Sequence, residues 1–210
     1  IQSSIPFVGL HAHSVAGSLF DALGYPNEHM DFCWQNGGDA LALTDHGNAN
    51  GLSHQVLHAK KMKEEGKSFK PIFGTEAYFI PSISEWREEY ERALADKKRA
   101  KTLGSELSGA TVEDENSSKK IQSVLRRRRH LILLAQNQVG LQNIFKLISE
   151  SYKSENFYRY PRMDYDLLAK YSEGVIAASA CLGGVYSGNY WENREAGDEA
   201  VLEAMRETTR

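Results

Sequence analysis

The chain has 210 residues, 41% of them hydrophobic and 25% charged, which suits one soluble domain with a sizeable core. Its net charge of −3 excludes a global attraction to nucleic acid, so any such contact must be local, through a patch or a metal. No run approaches the roughly 20 apolar residues of a membrane span, and Ile1-Gln2-Ser3-Ser4 lacks the features of a signal peptide. No membrane partner is expected. Cys33 and Cys181 form no CxxC, which favours a reducing, cytoplasmic setting over a disulfide framework.

Phe7-Val8-Gly9-Leu10 reads as a brief buried strand. Strand side chains repeat every two residues, so His11 and His13 point the same way, with Asp21 following closely. Two neutral imidazoles aimed at one spot suit a metal ion, although a hydrogen-bonded structural pair has the same spacing. Ala40 to Leu43 forms a second apolar run, ending in the polar turn Thr44-Asp45-His46-Gly47. A helix is expected over 51–65, with Leu52, Val56, Leu57 and Ala59 as its stripe and Gly66 as its breaker. Residues 70–81 form a strand carrying Glu76. Residues 129–137 form another, with His130 at its entry, leading through Asn137–Gly140 into a helix whose Ile144, Leu147, Ile148 and Tyr152 share a face. The small apolar run 174–184 ends near Cys181. Strands alternating with helices predict an α/β fold with a mainly parallel sheet and reactive groups at the strand ends.

Residues 82–129 break this rhythm and read as a charged insertion. Its first part is helical by pattern, with Ser82 and Glu85 in capping-box spacing and Trp86, Tyr90 and Leu94 on one stripe. Residues 104–120, rich in Ser, Gly and charge, are expected to be a disordered loop. Arg126, Arg127, Arg128 and Arg129 then form either a solvated helix end or a phosphate-contacting patch for nucleic acid.

His11, His13, Asp21, Asp45, His46, Glu76, His130 and Cys181 all fall at or beside ends of the expected strands. Each alone has an ordinary explanation: Asp45 as a helix cap, His46 as a turn residue, Glu76 as a surface charge, Cys181 as a small buried hydrophobe. Together they point to a shared site. His29, His54 and His58 lie in helical or polar stretches and read as ordinary residues.

The stretches "GLHAHS", "ALTDHGNANGL", "KPIFGTEAY", "HLILLAQNQVGLQNIFKLIS" and "FYRYPRMDYDLLAKYSEGVIAASACLGG" resemble, in that order, the motifs of the polymerase and histidinol phosphatase (PHP) domain. They resemble more narrowly the PHP domain at the N-terminus of C-family replicative DNA polymerases, the polymerase III alpha subunits. That resemblance implies a distorted (β/α)7 barrel of PHP type over residues 1–210, with up to three divalent metal ions at its mouth. Zinc comes first for this donor set, with manganese or iron as alternatives. It implies His11, His13, Asp21, His46, Glu76, His130 and Cys181 as ligands, Glu76 as a bridge, and Asp45 as a ligand or its support. A late Asp and His motif of the family has no counterpart here. The resemblance therefore implies a C-terminally incomplete barrel, through truncation or a split gene.

The function implied is metal-dependent phosphoester hydrolysis of the 3′-to-5′ exonuclease, proofreading type within DNA replication, with the polymerase active site elsewhere. The expected partners are DNA, as a 3′ end or single strand, the rest of the alpha subunit in cis or trans, and other replisome subunits. A stand-alone PHP phosphatase of small phosphomonoesters and a non-catalytic polymerase scaffold are the competing readings.

Overall fold

The computed structural model describes residues 7–106 and 112–209. Its elements are, in order, α1 (Pro26–Gln35), β1 (Ala40–Leu43), α2 (Leu52–Glu64), β2 (Lys70–Phe79), α3 (Ile83–Glu106), α4 (Val112–Arg126), β3 (Arg129–Ala135), α5 (Gln138–Ser151), β4 (Phe157–Tyr158), β5 (Tyr160–Met163), α6 (Tyr165–Lys170), β6 (Val175–Ala178), α7 (Val185–Asn193) and α8 (Asp198–Thr209). The expected α/β class is what the chain adopts, with helices packed around a sheet that contains parallel pairs. The sheet runs β4-β5-β2-β3-β6, and β1 also pairs with β2.

β2 organises the rest. Its first four residues pair in parallel with β1 and its last two with β5, while Gly74 to Phe79 pair antiparallel with β3. The mainly parallel sheet expected from the sequence is thus corrected, because β3 runs antiparallel to both β2 and β6. A parallel return needs a crossover that carries the chain back along the sheet. Here the connection from β2 to β3 is the α3–α4 pair, which goes out and comes back, so Arg129 starts opposite Phe79.

The opening strand is reduced to one parallel bridge, Gly9 with Leu41. The segment still runs beside β1, since Ala42 N donates to the Gly9 carbonyl and Thr44 N to that of Ala12, both at 2.8 Å. β6 stops at Ala178 and is largely exposed rather than buried. In α2 the buried positions are Gln55 and Met62, whereas Val56 and Leu57 of the expected stripe face outward. Gln55 is there because its amide donates to the Leu41 and Ile72 carbonyls of the β1–β2 region, at 3.3 and 3.2 Å.

The 82–129 segment is a helical hairpin. Ser82 Oγ accepts from Glu85 N at 3.2 Å, as the capping spacing predicts. Within the 104–120 stretch expected to be a disordered loop, α3 reaches Glu106 and α4 starts at Val112, and residues 107–111 lie outside the described residues. What orders α4 is its apolar end: Ile121, Val124 and Leu125 bury against Ile80, Ile83, Trp86 and Ala93. A second cluster packs Ile144 and Leu147 of α5 on Ala77, Leu133 and Met163, and a third joins Ala42 to Ile132 and Leu134. No described helix is long and apolar enough to cross a membrane.

Candidate metal centre

Glu76 lies in the middle of β2 with a fully buried side chain, where a lone carboxylate is strongly disfavoured without partners. It has partners on both sides. Its Oε2 sits 2.7 Å from His11 Nε2 and 2.6 Å from His13 Nε2, and its Oε1 sits 2.8 Å from His130 Nδ1 and 3.7 Å from Cys181 Sγ. Strand periodicity brings His11 and His13 to the same oxygen. The β2–β3 register brings His130 across from Tyr78, near the same carboxylate.

A second carboxylate, Asp21, is half exposed in the turn after the histidine pair. Its Oδ2 lies 2.7 Å from His46 Nε2 and 3.3 Å from His13 Nδ1. His46 follows β1 and is bridged in parallel to Glu76. Its Nδ1 is buried, 3.6 Å from Glu76 Oε2, and has no hydrogen-bond partner among the described residues.

Seven of the eight residues singled out in the sequence therefore converge. Asp45 is the exception in kind: it is buried, and both its oxygens are taken by Ser14, from the backbone N at 2.6 Å and the hydroxyl at 2.9 Å. It clamps the loop that carries His13 rather than joining the donors. Asn48 adds a second clamp, donating to the carbonyls of Gly17 and His46, both at 2.8 Å. Two glycines make this packing possible. A Cβ on Gly17 would fall 2.6 Å from Asp45, and Gly47, at φ +66°, presses against Pro161 and Tyr78, where a Cβ would come within 2.8 Å. Ser14 and Asn48 fall inside the stretches "GLHAHS" and "ALTDHGNANGL", but as residue types they signal nothing by themselves; only their places beside the histidines mark them.

The shifts of Glu76 and His46 favour the forms that ligate a cation. Burial pushes the Glu76 carboxyl up, but hydrogen bonds from His11, His13 and His130 and the charge on His46 outweigh it and hold it well below the carboxylate range. Burial pulls His13 down, yet Glu76, Asp21 and Asp45 together leave it raised. For His46 the same burial wins, and it is lowered, which favours the neutral imidazole that a metal needs. Burial also raises the Cys181 thiol.

Three groups of donor atoms, His11/His13/Glu76, His13/Asp21/His46 and His46/Glu76/His130, each fall within 4.8 Å. The donors can be shared out so that no neutral imidazole serves twice: His11 and His13 on one Glu76 oxygen, His130 and Cys181 on the other, and His46 with Asp21. Nitrogen, carboxylate and thiol donors with an orphaned buried His46 nitrogen suit divalent metal. Tyr78 stacks on His46 with rings 8° from parallel and stands edge-on to His130. Burial pushes its phenol up to about 12, so it stays neutral. His29, His54 and His58 take no part in this cluster; His58 pairs with Asp31 at 2.8 Å, linking α2 to α1.

The four arginines do not form a free helix end. Arg126 closes α4, Arg127 and Arg128 lie in the connection, and Arg129 opens β3. Arg127 pairs with Glu89 and Arg129 with Glu192.

A family model for the PHP domain matches residues 9–209. DNA polymerase III subunit alpha of Aquifex aeolicus is 37% identical over 180 residues, covering 85% of this chain. The subunit of the same name from Deinococcus radiodurans is 32% identical over 207 residues, covering 96% of the chain. The chain spans 12% and 13% of the length of those two relatives. A solved chain from Bifidobacterium adolescentis, assigned as a metal-dependent phosphoesterase, is 15% identical with a TM-score of 0.42, over 98% of this chain and 75% of that one; so low a score adds nothing to the assignment.

Proposed function

The chain belongs to the PHP domain family, and on that premise we propose that it hydrolyses phosphoesters of DNA in a metal-dependent, 3′-to-5′ exonuclease manner, as part of a replicative polymerase of the polymerase III alpha type. The observation that carries this reading is the buried Glu76 carboxylate, held by His11 and His13 on one oxygen and by His130 on the other. Such a carboxylate can bridge two cations, and Asp21 with His46 offers a third position. Divalent ions held there would lower the pKa of a bound water and clamp the attacking and leaving oxygens at phosphorus. Cys181 and the imidazoles favour zinc, then manganese or iron.

The chain's own residues fix the geometry. Glu76 sets the spacing between the two donor groups because it is locked in the middle of β2. Asp45 and Ser14 hold the His13 loop at its place beside β1. Polymerisation belongs to other parts of such a polymerase, with which this domain would act in cis or in trans, together with DNA.

Elemental analysis after dialysis tests the reading. Wild type should retain divalent metal and shorten a 5′-labelled single-stranded DNA from its 3′ end. A His11→Ala, His13→Ala double variant should lose both. Metal in the wild type no higher than in that variant overturns the proposal.

A further inference from the structure

Among the four consecutive arginines, Arg128 stands apart. Arg127 is held by both oxygens of Glu89, at 2.6 and 3.0 Å, and Arg129 is paired with Glu192. Among the described residues Arg128 has no carboxylate partner. Its Nη1 donates to the Arg126 carbonyl at 3.2 Å, and its Nε is buried with no hydrogen-bond partner. Its guanidinium instead covers the Tyr160 ring at 4.0 Å and lies 5.8 Å from the Tyr78 centroid. Tyr160 and Tyr78 pack on each other at 4.9 Å, and Tyr78 stacks on His46 of the metal centre at 5.5 Å. One tyrosine ring therefore separates an uncompensated cation from the donor cluster.

The guanidinium lies against the rings rather than free in solvent, and with Nε closed off its Nη groups are the donors left to meet an anion. The aromatic faces hold the guanidinium by cation–π attraction and fix its plane, which lowers the entropy lost when its fork meets an anion. Phosphate fits this fork by paired hydrogen bonds, and it is the anion that a phosphoesterase substrate brings.

We propose that Arg128, set on the Tyr160–Tyr78 platform, binds a phosphate neighbouring the one that is cleaved, so that the site selects phosphodiester chains over isolated phosphomonoesters. This rests on the phosphoesterase reading of the metal centre. The source of selectivity is positional: a second phosphate exists only in a chain, so an ester with a single phosphate gains nothing from Arg128.

The test separates the two readings by measuring binding without metal. Fluorescence anisotropy of 5′-labelled oligo(dT) in EDTA, over a salt series, should show Arg128→Gln weakening binding about tenfold and flattening the slope of log affinity against log salt by about 0.7. Arg126→Gln, at an exposed position, should change neither, and Arg128→Lys should fall between wild type and Arg128→Gln. In the metal-loaded chain, Arg128→Gln should raise KM for the oligonucleotide and leave hydrolysis of bis(p-nitrophenyl) phosphate unchanged. Thermal unfolding checks that the variants fold; should Arg128→Gln not fold, Arg128→Lys carries the test. Wild-type affinity and salt slope in the Arg128 variants overturn the proposal, as does no oligonucleotide binding by wild type, or an equal loss in Arg126→Gln. An absence of metal in the wild type overturns the function reading while leaving the EDTA result standing.

Discussion

The mouth of the sheet and the α3–α4 hairpin are both centred on a buried charge, and they keep it buried by opposite means. At the mouth, Glu76 is surrounded by other titratable groups, with three imidazoles within 2.8 Å of its oxygens. At the hairpin, Arg162 is fully buried, its guanidinium 4.5 Å from the Trp86 ring. Among the described residues its hydrogen bonds go to backbone alone: it donates to the carbonyls of Leu125, Arg127, Tyr158 and Tyr160. Those carbonyls do not titrate and are already taken up by the guanidinium, so Arg162 is finished as a structural tie. The Glu76 cluster instead gathers titratable nitrogen, oxygen and sulfur donors close enough for a cation to share. Burial near a charge is therefore no mark of function by itself; what surrounds the charge decides.

The largest expected effect is at the mouth. Glu76→Ala should abolish metal retention and nuclease activity together, because it removes the carboxylate shared by two of the three donor groups. Atomic absorption on the dialysed variant checks this. Metal content equal to wild type would separate Glu76 from the centre.

Next comes the hairpin. Arg162→Met should destabilise the chain by roughly 3 kcal/mol or more, since it strands four carbonyls in a region closed to water. Urea unfolding measures it. Burial and the neighbouring Arg128 pull the Arg162 guanidinium down only to about 10, so it is charged at neutral pH and the loss should not depend on pH between 6 and 8. Metal content per folded molecule should stay at the wild-type level, which is where the two regions part.

How much of this contrast the sequence shows depends on range. The histidine pair is readable because two residues on one strand face share a direction whatever the rest of the fold does, and Glu76 is readable from the apolar run around it. Placement at strand ends points to a shared site, but which residue meets which, Asp21 with His46 and His130 with Glu76, depends on register and loop course, which no local pattern encodes. The hairpin is half legible. Trp86, Tyr90 and Leu94 mark α3, but the polar start of α4 looks like loop because its order comes from Ile121, Val124 and Leu125 meeting residues about 30 to 40 positions earlier. Arg162 is illegible for the same reason: its partners are carbonyls, which leave no trace in side-chain identity. The antiparallel return of β3 follows from the hairpin and was hidden with it. Tyr78 and Tyr160 fit a strand pattern as ordinary aromatics, and only the ring contacts show that they link Arg128 to His46.

A smaller effect sharpens the difference between holding a metal and holding its holder. Asp45→Asn keeps the shape of the side chain but weakens its grip on the Ser14 N–H and hydroxyl. Losses at such supporting groups run to about 10- to 100-fold in metal affinity. Competition with a chelator of known affinity should show a weakened centre in a folded chain; complete loss, as in Glu76→Ala, would make Asp45 a ligand.

The smallest effect belongs to the rim of the hairpin, where Glu89 takes Arg127 through both oxygens. Both side chains are substantially exposed, so solvent screens the pair and its worth is about 0.2–1 kcal/mol rather than anything larger. The hydrogen bond from Arg127 outweighs the burial that opposes it and holds the Glu89 carboxyl below its ordinary value. A depressed carboxylate stabilises the folded state above its unfolded pKa, and that contribution is lost as pH falls through the folded value. Glu89→Gln should therefore unfold at slightly lower urea than wild type at pH 7, and the gap should close as pH is brought down through the carboxylate range. A gap that persists unchanged in acid would mean that Glu89 supports the hairpin by packing and not by charge, and the rim would then resemble the backbone-satisfied interior rather than the ionic mouth.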